Sequence, residues 1–215
     1  MSWIENAPKL LFFLLIRIVL LVILGINVRR KELLPASGPA IVIANHNSHL
    51  DTLVLMSLFP LRLLPYIRPV AATDYFMSTS VLAWFATRIV NIIPLARNHA
   101  RTISDPLESV RAALTNASIV ILYPEGTRGE PEQLTRFKRG IAHLAEQFPT
   151  TPVIPVFIHG LGKALPKGET LLVPFFCDVF VGEPLRFKDD RNAFMQAVND
   201  RFLALASEGN FSSWD

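Results

Sequence analysis

The chain has 215 residues, of which 51% are hydrophobic and only 18% charged, with a formal net charge of +3 at pH 7. A soluble domain has roughly a quarter of its residues charged, so this balance points to a protein that meets an apolar surface. The charge is mild, and no zinc spacing, long basic face or aromatic-rich strand motif marks a nucleic-acid module. The length suits one α/β domain with an attachment, not two full domains. Cys177 is the only cysteine, which excludes a disulfide within the chain and agrees with a reducing compartment.

The apolar excess sits partly at the N-terminus. Leu10 to Val28 is nearly all Leu, Ile, Val and Phe, interrupted by Arg17, Gly25 and Asn27. As a helix rising about 1.5 Å per residue, this stretch is just long enough to cross a hydrocarbon core. Arg17 near its middle costs at least ~2.5 kcal/mol in a spanning geometry. The competing geometry is an in-plane helix with Arg17 snorkelling to the headgroups. No small-x-small cleavage site follows Gly25; Arg29-Arg30-Lys31 follows instead, which does not fit a cleaved signal peptide. That cluster outweighs Lys9 and Glu5 on the other flank. The positive-inside bias then places the main domain on the cytoplasmic side of the plasma (inner) membrane, with the same cluster attracting anionic lipids. Residues 1–31 are thus expected to be a hydrophobic membrane-anchoring segment and 32–215 the α/β domain.

Ala40-Ile41-Val42-Ile43-Ala44 is a short apolar run after Ser37-Gly38-Pro39, as expected of a buried strand. It stops at Asn45-His46-Asn47-Ser48-His49-Leu50-Asp51. Ser48-x-x-Asp51 fits a capping box in its acidic form, which starts a helix from Ser48 to Leu58. The cap also fixes Asp51 where its carboxylate can meet His46, while His49 in the first turn points elsewhere. Pro60 ends the helix, Pro65 keeps the next segment short, and Pro69 to Ala72 can form a small strand. Ser78 to Ile89 reads as an apolar helix leading into the run Ile89 to Ile93, which ends at Pro94-Leu95-Ala96-Arg97.

Asp105-Pro106-x-Glu108 starts a helix with Leu107, Val110 and Leu114 on one face. Ser118 to Tyr123 is a second apolar strand, again stopping at polar residues, Pro124-Glu125-Gly126-Thr127-Arg128. A helix carrying Ile141, Leu144, Ala145 and Phe148 follows Arg136-Phe137-Lys138-Arg139-Gly140. Val153 to Ile158 is a third apolar strand, Phe180-Val181 a last one, and Phe194, Val198, Phe202 and Leu205 face a C-terminal helix.

Strands alternating with helices predict an α/β fold with a largely parallel sheet flanked by helices. Two buried strands end in clusters of acidic, basic and imidazole groups with glycine, and ligands of open α/β sheets sit at such carboxyl ends. No G-x-S-x-G, Walker A, G-x-G-x-x-G or H-E-x-x-H motif is present. A metal held by His46, His49 and Asp51 would need a further ligand from afar, so no metal is assigned.

These motifs resemble those of the glycerolipid acyltransferase family, which includes the 1-acylglycerol-3-phosphate acyltransferases. Asn45-His46-x-x-x-x-Asp51 is similar to its H-x-x-x-x-D signature. Glu125-Gly126-Thr127-Arg128 resembles its E-G-T-R block, Phe137-Lys138-Arg139-Gly140 its F-K-x-G, and Val153-Ile154-Pro155-Val156 its later V-P-V-type block. The resemblance covers roughly residues 40 to 185. One block departs: Ala96 stands where the family's second motif carries an acidic or amide residue before its arginine, here Arg97. That departure leaves the acceptor open.

The resemblance implies transfer of a fatty acyl group from acyl-CoA or acyl carrier protein, as co-substrate and without a cofactor, to a lysophospholipid hydroxyl. 1-Acylglycerol-3-phosphate is the expected acceptor, giving phosphatidic acid. In that role His46 is the base and Asp51 holds its tautomer. Arg97 and Arg128 suit a phosphate through their planar guanidinium forks. Glu125 bonds an acceptor hydroxyl or orients Arg128, Gly126 permits close approach, and Thr127 and Lys138 complete the substrate contacts. Backbone amides around Gly126 and Thr127 are candidates for the oxyanion. The rival readings are a different lyso-lipid acceptor, a thioester hydrolase, or a non-catalytic membrane-interaction protein. Membrane lipids and the acyl carrier are the expected partners, with no nucleic acid; the sequence does not set an oligomeric state.

Overall fold

Apolar runs bounded by turn residues become strands of a single sheet. In the computed structural model, which describes residues 3–48, 50–73, 79–95, 105–127, 129, 134–164, 173, 175–209 and 211, the strands are β1 (Gly25–Arg29), β2 (Ala40–Ala44), β3 (Ile67–Ala72), β4 (Ile93–Leu95), β5 (Ile119–Leu122), β6 (Val153–His159) and β7 (Phe176–Val181). Among the described residues the helices are α1 (Trp3–Ile23), α2 (Leu50–Leu58), α3 (Ser80–Trp84), α4 (Glu108–Thr115), α5 (Gly140–Gln147), α6 (Leu161–Ala164) and α7 (Arg191–Ser207). The sheet order is β1-β7-β6-β2-β5-β3-β4. Pairing is parallel from β6 through β2, β5 and β3 to β4. Only β7 runs antiparallel to β6, with β1 added parallel to β7 at the edge.

The two central strands β2 and β6 are buried at every position, which is why they read as unbroken apolar runs and not as alternation. Val42 and Ala44 face a layer built by α1, α2 and α6. Ile41 and Ile43 face the opposite layer of α4, α5 and α7. The carboxyl ends of β2 and β5 are neighbours, in register from Ala40–Ile119 to Ile43–Leu122. The polar cluster after each strand therefore opens onto the same end of the sheet.

The hydrophobic N-terminal stretch does not form one helix from Leu10 to Val28. Helix α1 ends at Ile23, and residues 25–29 join the sheet as β1. Gly25 is a weak helix residue, and Gly-Ile-Asn-Val-Arg alternates inward and outward as an edge strand does. Asn27 Nδ2 donates to Asp178 Oδ1 at 2.8 Å across this edge. The division of the sequence at residue 31 thus falls after this strand, not before it. Nor does the basic cluster that follows stand free. Arg30 pairs with Glu208 at 2.8 Å and donates to the Val181 carbonyl, and the Arg29 guanidinium lies over the Phe180 ring.

Among the described residues no helix is long and apolar enough to cross a membrane. Helix α1 instead packs one side on the core through Phe13 and Leu20, with Leu24 just beyond its end. Its described polar residues Asn6, Lys9 and Arg17 turn inward as well. Arg17 donates to the Phe59 carbonyl instead of reaching outward to headgroups, and Asn6 and Lys9 are buried. The outward side carries Leu11, Leu14, Leu15, Ile18 and Val22, all exposed.

Elsewhere the departures are local. The apolar helix begins at Ser80, capped by Thr79 Oγ1 accepting from Leu82 N at 3.2 Å. It continues as a π-helical segment, Phe85–Val90, and stops at Asn91 in the left-handed region, φ 63°. Ile89 and Val90 are therefore helical, and the strand comes later, at Ile93–Leu95. The last strand is longer than Phe180-Val181 and begins at Phe176.

Lys9 gives the α1 packing a testable signature. It is 3% exposed, and among the described residues its Nζ has no hydrogen-bond partner. Burial, then the charge of Arg68, push its ammonium down from 10.5 to about 7. The unfolded chain holds this proton up to 10.5, so between about 7 and 10.5 the unfolded state binds more protons and stability rises with pH. Lys9→Met is expected to raise Tm at pH 7 by about 5 °C. The gain should shrink toward pH 10 in a thermal melt series, and a pH-independent difference would mean that Lys9 does not titrate in this window.

Candidate active site

The site starts from where β2 runs out. Asn45, the residue after the strand, is buried and bonds the main chain of Ile158 on β6 in both directions: Nδ2 donates to Ile158 O and Ile158 N donates to Oδ1, each at 2.8 Å. This paired bond replaces the next rung of the ladder and fixes the backbone from which His46 projects. A buried amide satisfied on both sides is a rigid anchor. The sequence reading passed over it, since an asparagine after a strand is ordinarily a turn residue.

Asp51 stands in the first turn of α2 and is fully buried. Its Oδ2 accepts from Asn47 N at 2.8 Å and Ser48 N at 2.9 Å, and lies 2.9 Å from His46 Nδ1. The expected cap is therefore present with the carboxylate as its acceptor, while Ser48 Oγ accepts from Leu50 N at 3.3 Å. A carboxylate oxygen facing Nδ1 makes that nitrogen the donor and leaves Nε2 with the lone pair. His46 is only partly buried, with a side chain 20% exposed, so Nε2 is a base that a ligand can approach.

The second cluster folds over the first. The turn after β5 closes with Gly126 N donating to Tyr123 O at 2.9 Å, and Gly126 has φ 76°, a conformation that favours glycine. That bond takes up the Gly126 amide, so it is not an oxyanion donor in this geometry. Glu125 is buried, with Oε1 3.4 Å from His46 N and Oε2 accepting from Thr135 Oγ1 at 2.9 Å. Burial pushes its carboxyl above the ordinary value, opposed by these two bonds. Glu125 thus braces the His46 backbone against the following loop, a role closer to support than to contact with an acceptor hydroxyl. Gly129 N donates to His46 O at 3.0 Å, closing the loop over the same residue.

The Lys138 side chain lies across Gly126, and its backbone N donates to Pro124 O at 2.8 Å. A Cβ at position 126 would meet the Lys138 ammonium. Thr127 is exposed beside them. Arg97, Arg128 and His49 lie outside the described residues.

The sequence reading also missed Tyr123. Its ring stacks on His46, centroids 4.1 Å apart and planes at 22°, and its hydroxyl is 2.8 Å from Thr52 Oγ1. The signal was an aromatic residue at the very end of a buried strand, one step before the motif.

Taken together, a tautomer-fixed imidazole whose Nε2 has no partner among the described residues sits at the carboxyl end of a parallel sheet, beneath a glycine turn flanked by a lysine. That arrangement can remove a proton from a hydroxyl or water. The pattern of the Acyltransferase family matches residues 25–159, beginning at β1. The human 1-acyl-sn-glycerol-3-phosphate acyltransferase alpha is 31% identical over 210 residues, 95% of this chain and 71% of its own length. A chloroplastic 1-acyl-sn-glycerol-3-phosphate acyltransferase of Arabidopsis thaliana is 31% identical over 145 residues, 67% of this chain. The chain spans 38% and 40% of the lengths of the Arabidopsis thaliana and Brassica napus chloroplastic relatives. In three dimensions the crystal structure of the 1-acyl-sn-glycerophosphate acyltransferase PlsC from Thermotoga maritima shares the fold, with TM-score 0.72 at 21% identity, covering 88% of this chain and 74% of that one. The chain belongs to the acyltransferase family that includes the 1-acyl-sn-glycerol-3-phosphate acyltransferases.

Proposed function

We propose that this protein is a membrane-associated O-acyltransferase. It moves a fatty acyl group from a thioester, on coenzyme A or acyl carrier protein, to the free hydroxyl of 1-acylglycerol-3-phosphate, giving phosphatidic acid. The observation that carries the reading is the His46–Asp51 contact at 2.9 Å with Nε2 left open. An alcohol is a poor nucleophile at neutral pH, and a positioned imidazole removes its proton as it attacks. The hydroxyl oxygen adds to the thioester carbonyl while its proton passes to Nε2, and Asp51 stabilises the imidazolium without taking the proton. Collapse of the tetrahedral intermediate forms the ester and expels the thiolate, which recovers the proton from His46. No acyl-enzyme is needed. Cys177 is buried within β7.

Recognition of the acceptor phosphate falls to Arg97 and Arg128, with Lys138 beside the glycine turn. Delivery of a lipid acceptor is the work of α1. Its exposed residues Leu11, Leu14, Leu15, Ile18, Val19 and Val22 occupy a sector of about 140° when projected at 3.6 residues per turn. Trp84 and Val81 of α3 are exposed as well, and Phe85, next after Trp84, packs edge-on against Phe12 of α1. A helix that buries Lys9, turns Arg17 inward and exposes Leu11, Leu14 and Leu15 fits a bilayer surface, lying in the plane of one leaflet. In that position the protein is a peripheral component of the cytoplasmic face of the inner membrane.

The test supplies the purified protein with a radiolabelled acyl thioester, with and without a panel of lysophospholipids in mixed micelles. Ester formation that matches thioester consumption and requires 1-acylglycerol-3-phosphate is the expected result. Consumption independent of acceptor would identify a hydrolase, and no consumption on either carrier would refute catalysis. In the same assay Arg97→Ala and Arg128→Ala should raise the acceptor KM more than the donor KM; equal effects would argue against phosphate contacts.

A further inference from the structure

Asp51 restrains only one edge of the His46 ring. An imidazole held at Nδ1 alone can still rock about that bond, carrying Nε2 away from a bound hydroxyl. The ring of Tyr123 closes off this motion, lying nearly parallel to the imidazole at 4.1 Å between centroids. Its hydroxyl is held by Thr52 Oγ1 at 2.8 Å, and Thr52 follows Asp51 in the first turn of α2. One helix therefore sets both restraints: Asp51 grips the ring edge directly, and Thr52 backs its face through Tyr123. Burial, and then the Asp51 charge, push the phenol well above its ordinary value, so the hydroxyl remains a neutral partner of Thr52.

We propose that Tyr123 is a positioning residue for His46. It keeps Nε2 on the line to the acceptor hydroxyl and presents an electron-rich face to the imidazolium that forms when the proton arrives. This rests on His46 being the base of the reaction proposed above. The ring supplies the effect, while the hydroxyl only locks the ring in place.

The experiment compares Tyr123→Leu, Tyr123→Phe and His46→Ala in steady-state acyl transfer across pH, alongside the His46 ring-proton NMR signal. Tyr123→Leu is expected to lower kcat about tenfold with less than about twofold change in either KM, consistent with loss of transition-state positioning alone. The acid limb of the kcat profile should move down by about half a pH unit as the π face is lost. The His46 signal should lose its upfield ring-current displacement. Tyr123→Phe should restore most of the rate and the position of the limb. A residue that merely fills space would lower Tm without moving the limb. If Tyr123→Leu does not fold, Tyr123→Met keeps the volume without the ring and is read the same way. An inactive His46→Ala beside a Tyr123→Leu protein with parental kcat and limb would overturn the proposal alone. Tyr123→Phe as impaired as Tyr123→Leu would assign the effect to the hydroxyl and overturn the role of the ring. An active His46→Ala would overturn the reading of the site, and this proposal with it.

Discussion

His46→Ala is expected to lower acyl transfer at least ~10³-fold in kcat, within the range general-base catalysis supplies, while leaving Tm and vesicle binding near the parental values. The side chain is partly exposed and its main-chain bonds, to Glu125 and Gly129, survive the change. Asp51→Asn should behave differently for a reason particular to this site. All three described bonds to Asp51 go to Oδ2, and Oδ1 has no hydrogen-bond partner among the described residues. An asparagine can place its oxygen where Oδ2 is and keep all three donors, so the tautomer of His46 is retained and only the negative charge is lost. The expected result is a smaller fall, about 10²-fold, because only imidazolium stabilisation is removed. The buried amide NH₂ should also cost about 1–3 kcal/mol of stability. A loss as large as in His46→Ala would mean that the amide turns its NH₂ toward Nδ1, so that the tautomer is lost together with the charge.

The double substitution Leu14→Glu with Ile18→Glu is expected to release the protein from lipid vesicles. Both side chains lie on the exposed side of α1, at 48% and 56% exposure, so neither contributes to the core. With about half of each side chain left to bury, transferring the two into the acyl boundary is worth about 1.5–3 kcal/mol together. Losing that lowers partitioning by at least about tenfold, at about 1.4 kcal/mol per tenfold. Vesicle flotation reads the partitioning, and a thermal melt in detergent should be unchanged. Activity toward a lipid acceptor in vesicles should fall with binding, while activity toward a short-chain, soluble acceptor should persist. Retained flotation would show that this side of α1 is not the membrane face.

The polar ends of β2 and β5 were legible because a parallel sheet buried on both sides leaves a simple trace in the chain: an apolar run that stops at its carboxyl end. His46 and Asp51 could be paired because five residues of loop and first helical turn bring them together. That contact is local and needs no tertiary knowledge. Glu125 and Lys138 could be placed near the site but their partners could not be, since Thr135, the His46 amide and the Gly126 turn meet them only through folding. The resemblance of the motifs supplied the reaction class; the atoms that each side chain contacts came from the structure.

The N-terminus marks the opposite limit. The apolar stretch from Leu10 to Val28 is interrupted only by Arg17, Gly25 and Asn27, and although Gly25 weakens a helix, the switch to a strand depends on the free edge of β7 and on Asp178 opposite Asn27. The same holds for Arg17, whose inward bond to the Phe59 carbonyl exists only once α1 has docked. Periodicity, or a few residues of spacing, is enough to set the alternation of elements, the apolar N-terminal stretch and the short-range pair His46–Asp51. Folding alone makes β1 complete the sheet, turns Lys9 and Arg17 inward and Leu11, Leu14 and Leu15 outward, and brings Asn45 and Tyr123 to His46. Each of these requires groups far apart in the chain, and their pairing is selected by packing and hydrogen-bond satisfaction across the whole fold.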